Sequence, residues 1–322
     1  MKMTKIFGAL LVGTAMMTSS AMAADNFPSR PVTMVLPFAA GGATDTLARM
    51  LSERLTDKMG QPFIVENKPG AGTMLASDYV ARAKPDGYTM LMAASSLSIA
   101  PSIYSKVNYD AIKDFAPITQ VASVIHILEV NPELPVNNVQ ELIDYLKANP
   151  GKINYGSVGV GTSTHLEGEM FKSMTGVDMI DVPYKGSAPA LTDLVAGRTQ
   201  VMFDAWTSSK PFVESGKLRV LAVTTEKPSP SVPNVPSISD TVPGFAAMPW
   251  LGLVAPAGTP APIVNKIYDN VVEVLQEPAI QQKMQDLGLD IIGNTPEDFA
   301  TFIAEDLQTW AKVVKDANIK LN

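Results

Sequence analysis

Residues 32–55 read VTMVLPFAAGGATDTLARMLSERL, and the change of period within them decides the fold class. Val32 to Leu36 is a short apolar run suited to a strand buried on both faces of a parallel sheet. From Leu47 the apolar residues recur at helical spacing, at Met50, Leu51 and Leu55, while Glu53, Arg54 and Asp57 fall mostly on other faces. Asp45 opens that helix, Lys58 stands near its end and Gly60 lies just beyond, as dipole and C-cap chemistry favour. Between strand and helix the chain narrows to small residues around Gly41 and Gly42. Such a turn either satisfies local geometry alone or lets a ligand approach bare backbone.

The same alternation continues outward. PFIVEN (62–67) reads as a strand, GTMLASDYVARAK (72–84) as a helix stopped by Pro85-Asp86-Gly87, and YTMLMA (88–93) as a strand. It restarts after Gly151 with the strand INYGSVG and a helical stripe of Leu166, Met170 and Met174 closed by Gly176. MIDVPYKG, SAPALTDLVAG, QVMFDA and LRVLAVTT then follow as strand, helix, strand and strand. Two α/β units with parallel sheets are expected, and the long β-type run 115–131 can cross between them. The proline- and serine-rich stretch 226–244 is read as a wrapped surface loop. The C-terminus is helical, with Thr259-Pro260 and Thr295-Pro296 as start signals and Phe299, Phe302, Ile303 and Trp310 facing a core.

The first residues have another purpose. Lys2 and Lys5, an apolar run from Ile6 to Met17 and the Ala21-Met22-Ala23 signal read as an export peptide cleaved after Ala23. The apolar run is shorter than the about 20 residues of a spanning helix. Without those two lysines the formal charge of −7 becomes −9, and no basic face invites nucleic acid. The chain has no cysteine, so lipid attachment at a cysteine and disulfides are both excluded. About 300 residues bury a sufficient core without bridges.

Catalytic and metal chemistry find little support. The two histidines, His126 and His165, stand far apart with no cysteine partner, whereas zinc needs three or four such ligands. No metal and no cofactor are expected. GTSTH (161–165) imitates a nucleophile elbow but lacks its last glycine, leaving an exported serine hydrolase on Ser157 or Ser163 as the alternative function. GAG (70–72) and GVG (159–161) are incomplete dinucleotide fingerprints.

What recurs is a strand, a small-residue loop and a helix N-terminus, at 37–46, 69–74, 156–165 and 183–188. Thr164 and Glu167 have capping-box spacing, which leaves Thr162 and Ser163 free, and Ser187 can cap the helix after Tyr184-Lys185-Gly186. Helix N-termini present unpaired N–H groups and partial positive charge, so each can hold a carboxylate oxygen. In open α/β sheets such loops gather beyond the carboxyl ends of the strands. Asp204, ending an apolar strand, faces that same mouth, and Trp206 and Trp250 stand near enough in the pattern for either core or pocket.

These residues also carry a resemblance. RPVTMVLPFAAGGATDTLARMLSERL, VENKPGAG, AKPDGYTMLM, DFAPITQVAS, PGKINYGSVGVGTSTHLEGEMFK, VPYKGSAPALTDLVAGR and LVAPAGTPAPIV, in that order, resemble the Bug family, the TctC-like solute receptors of tripartite tricarboxylate transporters. The resemblance implies a two-lobed periplasmic binding protein (type II, Venus-flytrap), each lobe a mainly parallel sheet flanked by helices. It implies a signal peptide over 1–23, one lobe from 24–122 plus 235–322 and a second from 123–234. It implies a non-enzymatic monomer that binds a small di-, tri- or aromatic carboxylate and serves a transporter, or a sensor kinase's outer domain. The implied contacts are Phe38, Ala40, Gly41, Gly42, Thr44 and Asp45 in the first loop and Ser95 and Ser96 after the third strand. In the second lobe they are Ser157, Thr162, Ser163, Thr164, His165, Tyr184, Lys185, Gly186 and Asp204. Departures from the family pattern at Ala43, Thr73 and Ala100-Pro101 all lie around the first-lobe cleft.

Overall fold

The computed structural model describes residues 26–316. The expected export peptide over residues 1–23 and its expected cleavage site lie outside the described residues. Among the described residues eleven strands form two sheets. The first has six strands in the order β11-β4-β10-β3-β1-β2, from Leu289–Ile291, Phe115–Val124, Trp250–Pro256, Thr89–Ala94, Val32–Leu36 and Phe63–Asn67. The second has five in the order β7-β6-β8-β5-β9, from Ile180–Pro183, Asn154–Ser157, Val201–Ala205, His126–Val130 and Arg219–Val223. The described helices are α1 (Ala43–Met59), α2 (Met74–Ala81), α3 (Ser96–Ile103), α4 (Val139–Ala148) and α5 (Ser163–Thr175). They continue with α6 (Ser187–Val195), α7 (Trp206–Glu214), α8 (Ala261–Leu275), α9 (Pro278–Asp286) and α10 (Pro296–Asp316). None of them is long and apolar enough to cross a membrane.

Both sheets are mixed, with the expected parallel strands carrying antiparallel ones beside them. β1 pairs in parallel with β2 and β3, and β6 with β7 and β8, as the strand–helix alternation requires. β10, β4, β11 and β5 are antiparallel to their neighbours. The reason is the chain path. β4 and β5 are consecutive pieces of one extended run, separated only by Ile125, so the chain passes from one sheet to the other with no crossover helix. β5, and β10 after the return crossing, therefore start at the crossings and run against the parallel strands of their sheets.

The wrapped loop is held by packing rather than by regular structure. Ile238, Val242 and Phe245 are buried in the core beneath the second sheet, where Phe171, Phe203 and Phe245 meet at centroid separations of 6.0–6.4 Å. Each such ring removed from water contributes roughly 1.5–3 kcal/mol. Residue 247 still bonds the second sheet, its N–H donating to the Thr224 carbonyl, before Trp250 enters β10 of the first. α10 joins the two bodies a third time. Its Phe299 and Ile303 pack beside Trp250, whereas Trp310 and Val314 join the second core. A smaller tie runs from α7, where the Thr207 hydroxyl donates to the Leu287 carbonyl at 2.5 Å.

Candidate ligand-binding site

Between the two sheets lies a cavity of about 500 Å³, counting the part open to solvent. Its first-sheet wall is Phe38, Gly42, Ala43, Thr44, Ala94, Ser95 and Pro249 to Leu251, with Val124 at the crossing. The opposite wall is His126, Val158, Ser163, Thr164, Ser187, Asp204 and Ala205. These positions mark the N-termini of α1, α3, α5 and α6, and no side chain caps any of the four. Their first-turn N–H groups therefore remain for an occupant. The fourth end is α3 at Ser95, not the 69–74 loop that the recurrent pattern suggested. That loop lies at the rim instead, where Gly72 abuts the Val160 carbonyl and the Tyr104 ring.

The predicted residues divide by position. Phe38, Gly42, Thr44, Ser95, Ser163, Thr164 and Asp204 line the cavity. Asp45 holds the first loop: it takes both Arg49 nitrogens at 2.9 Å, the Gly41 N–H at 3.1 Å and the Asn67 amide at 3.1 Å. Burial pushes its carboxyl up, but those bonds outweigh it and leave the pKa below the usual carboxylate value. Ala40 is exposed beside this loop. Ser96 accepts a bond from Thr73 at 2.8 Å behind the wall. Thr162 caps its own loop by donating to the Gly159 carbonyl at 2.6 Å. Lys185 contributes its carbonyl, which accepts the Ala39 N–H at 2.9 Å across the cleft, and Gly186 permits that approach. Tyr184 donates to Asp193 at 2.8 Å, and burial first, then Asp193, pushes its hydroxyl up to about 12. Ser157 and His165 are buried outside the lining, and burial lowers the His165 pKa. At the opposite rim Tyr104 donates to the Val160 carbonyl at 2.7 Å.

Two local readings are corrected. Thr164 and Glu167 do not form a capping box: the Thr164 hydroxyl accepts the Val158 N–H at 2.9 Å, and Glu167 is drawn away by His126 at 2.9 Å. Ser187 is not a cap either, since its hydroxyl donates to Asp204 at 2.7 Å while Gly186 occupies the N-cap. In both cases a buried charged partner from another element outcompetes the local bond.

His126, Ala43, Val158, Ser187 and Trp250 line the cavity without having been singled out as contacts. In the sequence His126 reads only as a metal or triad histidine, and its place in the run that crosses between the sheets is the signal that marks it. Trp250 is fixed by donating its indole N–H to Asp306 at 2.8 Å. Asp204, 1 % exposed, has its pKa pushed up to about 6, chiefly by burial. His126 and Asp204 are the ionisable residues of the lining; no lysine or arginine contributes to it.

Comparison with known proteins agrees with this architecture. The tripartite tricarboxylate transporter family receptor profile matches residues 47–319. BugT of Bordetella pertussis is 34% identical over 326 residues, with all of both chains covered. The R. palustris protein Rpa4515 with adipate superposes with a TM-score of 0.89 at 38% identity, covering 92% of this chain and 99% of that one. MatC from Rhodopseudomonas palustris with bound malate gives 0.86 at 32% identity, covering 89% and 100%. These are solute receptors rather than enzymes, so the hydrolase alternative falls. The chain belongs to the family of receptors of tripartite tricarboxylate transporters.

Proposed function

We propose that this protein is a periplasmic receptor that captures a small organic carboxylate in the cavity between its sheets. It then delivers the anion to the membrane components of a tripartite tricarboxylate transporter. The convergence of four uncapped helix N-termini on one cavity carries this reading. Each end contributes ~0.3–1 kcal/mol toward an anion, and up to ~2 when partly buried. With the hydroxyls of Thr44, Ser95, Ser163 and Thr164 beside them, four ends reach the scale of a micromolar complex, ~8 kcal/mol. The adipate and malate complexes of relatives support the same ligand class.

In this reading the lobes exchange chain at Ile125 and again between residue 247 and Trp250. The second point lies later than the boundary at 235, because Ile238, Val242 and Phe245 belong to the second core. The cross-cleft bonds of Ala39 and Tyr104 then belong to a closed state, and ligand release opens them. Calorimetric titration with mono-, di- and tricarboxylates against their amides tests the proposal. Saturable binding of a carboxylate but not its amide is expected; binding of the amides alone would refute it.

A further inference from the structure

One wall of the cavity presents two opposite hydrogen-bonding senses side by side. In the β5–β8 register His126 lies opposite Ala205 and Ile127 opposite Asp204, so a single residue step separates the two ionisable groups. The His126 Nδ1 donates to the Glu167 carboxylate at 2.9 Å, and no described group bonds its Nε2. Burial works against the charged ring, but the charge and hydrogen bond of Glu167, with the charge of Asp204, more than offset it and raise the His126 pKa. With Nδ1 held by Glu167, Nε2 is left for the cavity, and it carries a donor proton in the imidazolium form that those two charges favour.

Asp204 is the complement. Its Oδ1 accepts from Ser187 at 2.7 Å, while its buried Oδ2 has no partner. The titratable groups facing it are His126 and Glu129 on β5 and Glu167 on α5. Glu129 takes the Ser209 hydroxyl at 2.7 Å and Glu167 takes His126, and neither carboxyl bonds Asp204 Oδ2. A buried carboxylate oxygen left without one is costly. A bare carboxylate ligand would make matters worse, since it brings a second anion and no proton.

We propose that the His126–Asp204 pair selects, among small carboxylates, those that carry a hydroxyl or amino group on the carbon next to the carboxylate. The His126 Nε2–H holds the carboxylate, and Asp204 Oδ2 accepts the neighbouring donor. Glu167 is the positioning residue that keeps the imidazole in its donating form. The proposal rests on the carboxylate reading above and narrows it. Sites built to bond a polar group reject analogues that lack it far more strongly than apolar pockets discriminate by size.

Calorimetric titration at neutral pH with matched probes tests it. The series are succinate with malate and aspartate, glutarate with 2-hydroxyglutarate and glutamate, adipate with 2-hydroxyadipate and 2-aminoadipate, propionate with lactate and alanine, and phenylacetate with mandelate. In every series that binds, a donor-bearing member should bind at least about tenfold more tightly than the bare acid. Asp204→Ala should narrow that ratio to below about threefold, and Glu167→Gln should shift the pH dependence of binding. The wild-type ratios decide the matter even if a variant fails to fold. A bare acid that binds as tightly as its donor-bearing partners overturns the proposal and leaves the carboxylate reading standing. Failure of every series to bind overturns both.

Discussion

Replacing Gly72 with alanine tests whether the rim of the cleft governs binding, and Gly60 provides the control. Gly72 has φ +57 and Gly60 has φ +70, so alanine at either suffers the same left-handed strain, roughly 1–2 kcal/mol. Their surroundings differ completely. A Cβ at Gly60 meets nothing within 4 Å, whereas one at Gly72 falls inside 3.0 Å of both the Val160 carbonyl oxygen and the Tyr104 hydroxyl. Val160 belongs to the second-sheet side of the cleft, so its clash exists only while the cleft is closed, whereas Tyr104 follows α3 on the same side as Gly72 and its hydroxyl can swing away. Relief requires giving up the Tyr104–Val160 bond, about 0.5–1.5 kcal/mol, or accepting overpacking of about 1–3 kcal/mol. The closed state therefore loses roughly 0.5–3 kcal/mol relative to the open one, and affinity for a bound carboxylate falls roughly 2- to 150-fold. Thermal melting and calorimetric titration of both variants separate the effects. Both should lose similar stability without ligand, and only Gly72→Ala should lose affinity. Equal affinities in the two variants would refute the link between rim closure and binding.

Further outcomes follow from the same geometry. Lys185→Ala should change affinity less than about threefold, because the residue acts through its carbonyl. Gly42→Val, whose added Cβ alone would sit 3.4 Å from the Ser187 hydroxyl, should weaken binding by an order of magnitude or more; titration ranks the two. Asp204 has a folded pKa of about 6 against 3.8 unfolded, so the native state holds the extra proton between those values. Its contribution is present at low pH and lost as pH rises through that window. Asp204→Asn should therefore flatten the melting temperature between about pH 4 and 6 and gain roughly 3 kcal/mol over wild type at neutral pH. Parallel melting profiles would contradict this. Phe203→Ala opens the Phe171–Phe245 cluster and should cost about 3–5 kcal/mol in denaturant titration.

The elements of this fold were legible wherever local pattern and packing agreed. The strand at Val32, the helix opened near Asp45 and closed by Gly60, and the glycine-led helices of the second unit all obey periodicity, and they stand in the structure. What escaped was decided by distant residues. Mixed pairing depends on β5 and β10 each starting at a crossing between the sheets, which periodicity cannot orient. The role of Glu167 looked local because Thr164 stands three residues before it, yet its partner His126 lies 41 residues upstream. Asp45 read as a complement to the helix dipole, and its bond to Asn67 joins two strands' ends that no window of sequence connects. The site was visible as a set of loops, but which side chains in those loops face inward depends on the tertiary fit.

The absence of lysine and arginine from the cavity lining separates the forces that act on an approaching anion by range. At a distance the ligand meets a chain of formal charge −7, or −9 without the first 23 residues, and is repelled. Inside the cleft it meets backbone N–H groups shielded from the solution. Mobile ions screen the first interaction over ~8 Å at physiological ionic strength and reach the second poorly. Added salt should therefore speed capture while leaving escape nearly constant, the reverse of a receptor that draws its anion in with a basic funnel. Stopped-flow association rates measured across a salt series would show the sign of that slope, and a rate that falls with salt would place a long-range attracting charge on lysines or arginines outside the lining.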